Sequence, residues 1–178
     1  DFGLSAAESA RMADNIFDSS VAMGLSADEG ANLFGILMSM GNLTQSQAEN
    51  LAESTYQLAR AEGVAPQAVM KDIAANADVF AKSMKDGGRN VLDAAVQAKK
   101  LGLNLSTVDG IASGLLDFQS SLNAEIEASI LLGRDINLQK ARELALNDDL
   151  TGMMNEIADA FKREFGYDMM LANPETRE

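Results

Sequence analysis

The 178-residue chain contains no histidine and no cysteine. Without histidine it lacks the commonest metal ligand and the commonest general base, and without cysteine it has no disulfide framework, no thiolate metal site and no thiol nucleophile. Tryptophan is absent, proline occurs twice and aromatics are 5% of the residues, a mixture poor in strand formers and in helix breakers. Basic residues are scarce, 14 against 27 acids, and the resulting charge of −13 is spread along the chain rather than gathered in a tail. Such a surface repels phosphate backbones and anionic lipid, so nucleic acid and membrane are not expected partners and protein is. Long apolar runs are missing as well. The longest, from Leu33 to Met40, falls far short of the ~20 residues of a membrane-spanning helix.

What the sequence does contain is a repeated phrase of helix punctuation. Gly3-Leu4-Ser5-Ala6-Ala7-Glu8, Gly24-Leu25-Ser26-Ala27-Asp28-Glu29 and Gly41-Asn42-Leu43-Thr44-Gln45-Ser46-Gln47 each place a glycine before a Ser or Thr with Glu or Gln three positions on. Glycine ends one helix in the left-handed conformation, and the hydroxyl and acid or amide form the capping box of the next. Looser versions stand at Gly63-Val64-Ala65-Pro66 and Gly102-Leu103-Asn104-Leu105-Ser106. With 47% apolar residues the chain can bury a core. The fold expected is all-α, with seven to eight short-to-medium amphipathic helices in a compact array or bundle.

Val69, Ile73, Ala77, Phe80 and Met84 place one stripe after Pro66, and Val108, Ile111, Leu115, Phe118, Leu122, Ile126 and Ile130 predict a single long helix over 106–132. Asp86-Gly87-Gly88 is the clearest break and divides the chain into expected subdomains 1–86 and 87–178. The latter ends in an amphipathic hairpin. Caps recur at intervals too irregular for a solenoid.

Chemistry is hard to find. Asp1-Phe2-Gly3 spells a kinase tripeptide with none of its companion motifs, and Asn42-Leu43-Thr44 and Asn104-Leu105-Ser106 read as helix caps rather than glycosylation sites. The acids at Asp14, Asp18, Glu125, Glu127 and Asn147 to Asp149 lack the alternating ligands of a calcium loop. Glu8-Ser9 and Glu53-Ser54 match the catalytic Glu-Ser of lysozyme-like transglycosylases, without the downstream Gly-Leu-Met-Gln segment of that family. No catalytic residue, metal or cofactor is expected. Met38, Met40, Met153, Met154, Met169 and Met170 could line a groove for a partner helix, though methionine at helical spacing also fills cores. Leu150, Met153, Met154, Ile157, Phe161 and Phe165 share one face near the C-terminus with little sequence left to cover it, and that face is the expected interchain contact.

The run from Asn137 to Met153, with Ala141-Arg142-Glu143-Leu144-Ala145-Leu146 followed by Asn147-Asp148-Asp149-Leu150, resembles segments of bacteriophage tail tape-measure proteins, as do the Gly-Leu-Ser-Ala-Asp-Glu phrases. The resemblance covers about a third of the chain in recognisable phrases. It implies a structural virion component, made in the host cytoplasm and placed at the tail tip or inside the tube. Implied partners are further copies of itself, a trimer above all, and tail hub, baseplate or tube proteins. No catalytic residue is carried over. Sustained heptads are absent, so the piece is expected to be a folded region rather than measuring rod. Asp1 at its start and Asn173-Pro174-Glu175-Thr176-Arg177-Glu178 at its end suggest a segment of a longer protein. Two other readings are a helical adaptor with a Met-rich groove and a peptidoglycan-lytic domain.

Overall fold

In the computed structural model, residues 6–83 and 86–166 are described. Among them the chain forms α1 (Ala6–Ala22), α2 (Ala27–Ser39), α3 (Gln45–Ala61), α4 (Pro66–Ala75), α5 (Ala77–Ser83), a short 3-10 turn (Asp86–Gly88), α6 (Arg89–Lys100), α7 (Leu105–Leu116), α8 (Phe118–Leu132), α9 (Gln139–Leu146) and α10 (Leu150–Phe165), with no strand. The punctuation works as its chemistry dictates. At α2 the Ser26 hydroxyl accepts from the Glu29 amide while the Glu29 carboxylate accepts from the Ser26 amide at 2.8 Å, and Thr44 and Gln47 repeat the exchange at α3. Gly24, Gly63 and Gly102 sit at φ of 73°, 75° and 72°, a region where side chains are strained, and turn the chain between helices. Asn104 caps α7 through a 2.8 Å bond from the Thr107 amide. The Ser5 box falls partly outside the described residues.

Two helices expected to be continuous are broken, which raises the count from eight to ten among the described residues. Between α4 and α5, Asn76 leaves helical geometry at φ −122°, ψ 52°, and its side-chain amide donates to the Asp72 carbonyl at 2.7 Å. The expected 106–132 rod is interrupted at Asp117, at φ −76°, ψ 79°, whose carboxylate accepts from the Ser120 hydroxyl at 2.8 Å and caps α8. Asn and Asp side chains compete for backbone groups in this way, and a one-residue bend leaves the apolar period almost in phase.

Helices α2, α4 and α6 make the centre. Leu33, Phe34 and Leu37 of α2, Val69, Met70 and Ile73 of α4 and Val91, Leu92 and Val96 of α6 are fully buried, each worth about 1.5–3 kcal/mol of transfer free energy. A single cluster of buried residues runs from Met23 to Met154 across the Asp86–Gly88 turn, so the expected halves 1–86 and 87–178 share one core. Asp72, nearly buried on α4, ties the halves together: it accepts from the Leu105 amide at 3.0 Å and lies 3.6 Å from the Lys99 ammonium. Helix α1 lies on α2 where Gly30 approaches Ser20, so closely that any Cβ on Gly30 would collide with the Ser20 side chain.

Candidate interaction surface

Helix α8 inverts the usual arrangement of an amphipathic helix. None of its fifteen residues is buried, although its composition is apolar. Its polar side faces the protein. Ser121, Glu125 and Ser129, four residues apart, meet the segment leading into α9 and α9 itself. The Arg142 guanidinium, 6% exposed, reaches the Glu125 carboxylate at 2.7 Å and donates to the Ser121 hydroxyl at 3.0 Å. Glu125 also accepts from the Leu138 amide at 3.1 Å, and Ser129 from the Ile136 amide at 3.2 Å. Helix α8 is thus held by a polar tether at its inner side and by its junction with α7.

Its outer side carries Phe118, Leu122, Ile126 and Ile130, spaced by four and 49%, 45%, 59% and 75% exposed, and Ile126 and Ile130 border a pocket shared with Arg134 and Asp135. Leu131 and Leu132 are exposed too, Leu131 on another side of the helix. An exposed apolar ridge favours a partner over water.

A second apolar surface lies between α1 and α2. It is a groove of about 410 Å³ lined by Met12, Ala13, Ile16 and Phe17 on one wall and Ala27, Ala31, Gly35, Met38 and Ser39 on the other, with no charged side chain among them. Met38 thus lines a groove as the sequence reading allowed, in company with Met12. Met40 is 37% exposed and does not line it.

The expected interchain face on α10 is placed differently. Leu150, Met153 and Met154 are buried in the chain's own core by α6, α7 and α9, so they present no surface to another chain. Ile157 packs at the edge of that core and Phe161 is half-buried, while the Phe165 side chain, Met169 and Met170 lie outside the description. The reason is local. The turn Asn147–Asp149, with Asp148 at φ 51° and the Asp149 carboxylate accepting from the Gly152 amide at 2.8 Å, folds α10 back along α9. Ala141 and Ala145 of the Ala-Arg-Glu-Leu-Ala-Leu phrase are small enough to let α9 approach closely.

Several other acids have structural partners. Glu53 accepts from the Gln57 side chain at 2.6 Å, and the side chain of Glu8 lies outside the description. Glu156 receives Lys140 at 2.7 Å and Arg163 at 3.0 Å, and these hydrogen bonds, Lys140's foremost, hold its carboxyl below the usual carboxylate range. Burial pushes the Asp93 carboxyl up, partly offset by Arg89. Among the described residues no group of acids is arranged to hold a metal ion, and no helix is long and apolar enough to cross a membrane. No protein-family model, curated protein or solved structure matches the chain.

Proposed function

We propose that this chain is a structural, non-enzymatic segment of a bacteriophage tail tape-measure protein, acting in tail assembly through protein–protein contacts at the tail tip or inside the tube. The observation that carries the reading is α8, an apolar helix held with its polar side inward and its Phe118, Leu122, Ile126 and Ile130 ridge outward. Glycines at 24, 63 and 102 reverse the chain between helices, which suits a folded region and not a straight rod. In the full gene, in-frame deletion of residues 5 to 165 is expected to abolish or cripple tail formation, with any surviving tails near normal length in electron micrographs. Intact tails shortened in proportion, by roughly 1.5 Å per deleted residue, would make the segment measuring rod and overturn the proposal. Ile126→Glu with Ile130→Glu is expected to block assembly while the isolated chain keeps its helical circular dichroism. Normal tails from that variant would remove α8 from the mechanism. The adaptor reading draws on the α1–α2 groove.

A further inference from the structure

We propose that the groove between α1 and α2 is the docking site of a basic amphipathic helix from another protein, a contact separate from the one made by α8. The groove is shaped for a helix. Its floor on α2 is Ala27, Ala31 and Gly35, spaced by four residues, and a row of this spacing receives the equivalent row of a facing helix. The floor residues are small, so the two backbones can come close. Gly35 is telling, because a Cβ there would meet nothing within 4 Å. Glycine in mid-helix costs stability, and the chain's own packing does not ask for it at this position, whereas a side chain pressed onto it from outside does. Met12 on one wall and Met38 on the other supply flexible side chains that adjust to what enters.

Charge selects the occupant. The two helices that form the walls carry the acids Glu8, Asp14, Asp18, Asp28 and Glu29 against a single base, Arg11. Asp14 stands three residues from Phe17 and Asp28 three from Ala31, which makes each a neighbour of a lining residue on its helix surface. Both are exposed, and neither meets a cation among the described residues, whereas Glu29 is paired with Lys71 at 3.3 Å. An apolar floor between acidic lips attracts a helix whose apolar stripe is bordered by Lys or Arg and repels one bordered by acids. That excludes α8 of a second copy, which carries Glu125 and Glu127 and no base. The chain's own basic pairs, Lys99–Lys100 and Lys162–Arg163, lie on α6 and α10, whose Leu92, Val96, Met153 and Met154 are committed to the core. The occupant is therefore a different chain.

The test titrates the 178-residue chain into two labelled synthetic peptides of about 18 residues, long enough to hold a helix once docked. Both carry the same stripe of Leu and Ala spaced by four, and they differ only in its borders, Lys in one and Glu in the other. Fluorescence anisotropy is expected to show the Lys peptide binding with a micromolar constant that weakens as salt is added, and the Glu peptide at least about tenfold weaker. Gly35→Leu fills the groove from an exposed position and leaves the charge at −13. It is expected to weaken the Lys peptide about tenfold or more, with circular dichroism unchanged and melting no lower. Asp14→Asn with Asp28→Asn is expected to weaken it as well and to flatten its salt dependence. If the Gly35→Leu chain holds the Lys peptide as firmly as before, net charge alone attracts it and the proposal falls. It falls too if the Glu peptide binds equally well, or if the Lys peptide does not bind. The ridge-blocked chain, Ile126→Glu with Ile130→Glu, is expected to bind the Lys peptide unchanged, and loss there would move the site to α8 and overturn the proposal. The role of α8 in assembly is judged separately, by tail formation, so either idea can fail alone.

Discussion

Replacing Arg142 by Met should release α8 while leaving the rest of the fold in place. Arg142 and Glu125 are 6% and 14% exposed at their side chains, so the pair is largely shielded from water. Removing one partner of a buried pair costs about 3–5 kcal/mol, chiefly because the other charge is left stranded. Here the cost has an outlet. No residue of α8 is buried, so the helix can swing Glu125 into water without opening the core. The opening constant of α8 is then expected to rise roughly 10²- to 10³-fold, and a detached helix of this length is marginal in water. Hydrogen exchange at concentrations where the chain is monomeric should show residues 118–132 losing protection while α2, α4 and α6 keep theirs. Adding Glu125→Gln, which keeps an acceptor for the Leu138 amide and removes the stranded charge, should restore part of the protection. Unchanged α8 exchange in Arg142→Met, or equal loss in α2 and α8, would refute the idea that one polar tether holds this helix.

Phe34→Ala empties the centre of α2 and should cost about 3–5 kcal/mol, lowering the midpoint of thermal unfolding by roughly 10 °C or more in calorimetry. Glu156→Gln should destabilise by about 0.5–1 kcal/mol at pH 7, a figure kept small because Lys140 and Arg163 are well exposed. Hydrogen bonds from Lys140 and Arg163 hold its carboxyl below the ordinary carboxylate range in the folded chain, so this stability is present above that range and disappears as pH falls through the lowered folded value; melting curves of the two proteins should converge in acid. Asp93 has the opposite sign, since burial favours its protonated form: Asp93→Asn should raise the melting temperature at pH 7 and lose that advantage in acid. Gly30→Ala forces Ser20 away and should expose α1 to limited proteolysis before any other helix.

The caps at Ser26 and Thr44 were readable because a capping box is a local device, complete within four residues, whereas α7 is capped by Asn104, two residues before the start expected at Ser106. Asn76 and Asp117 were not, because each bends the chain without disturbing the spacing of Val69 to Phe80 or of Val108 to Ile130, and periodicity reports phase rather than direction. That Leu150, Met153 and Met154 lie in the chain's own core was not legible for a related reason. Leu150, Met153 and Met154 and the Leu122, Ile126 and Ile130 set have equally regular spacing. Which one is covered depends on Asp148 folding α10 back along α9, a local turn, and on Arg142 turning the polar side of α8 inward, a contact between segments that the sequence pattern does not connect.

The bend at Asp117 makes α8 a lever. Its fifteen residues extend about 22 Å from a one-residue pivot, so a swing of about 10° at that pivot displaces the far end by roughly 4 Å, near the width of a side chain. The tether at Glu125 and Arg142 grips the lever near its midpoint, which leaves Ile130, Leu131 and Leu132 on the overhanging arm, the portion with the greatest reach and the most exposed side chains. A partner gripping that arm exerts its torque on the Asp117 cap, on the Glu125–Arg142 pair and on the Ser129–Ile136 hydrogen bond. The angular tolerance of whatever is built on α8 is therefore set by the stiffness of these few polar contacts, and substitutions there should change the angle of α8 before they change the affinity of a partner.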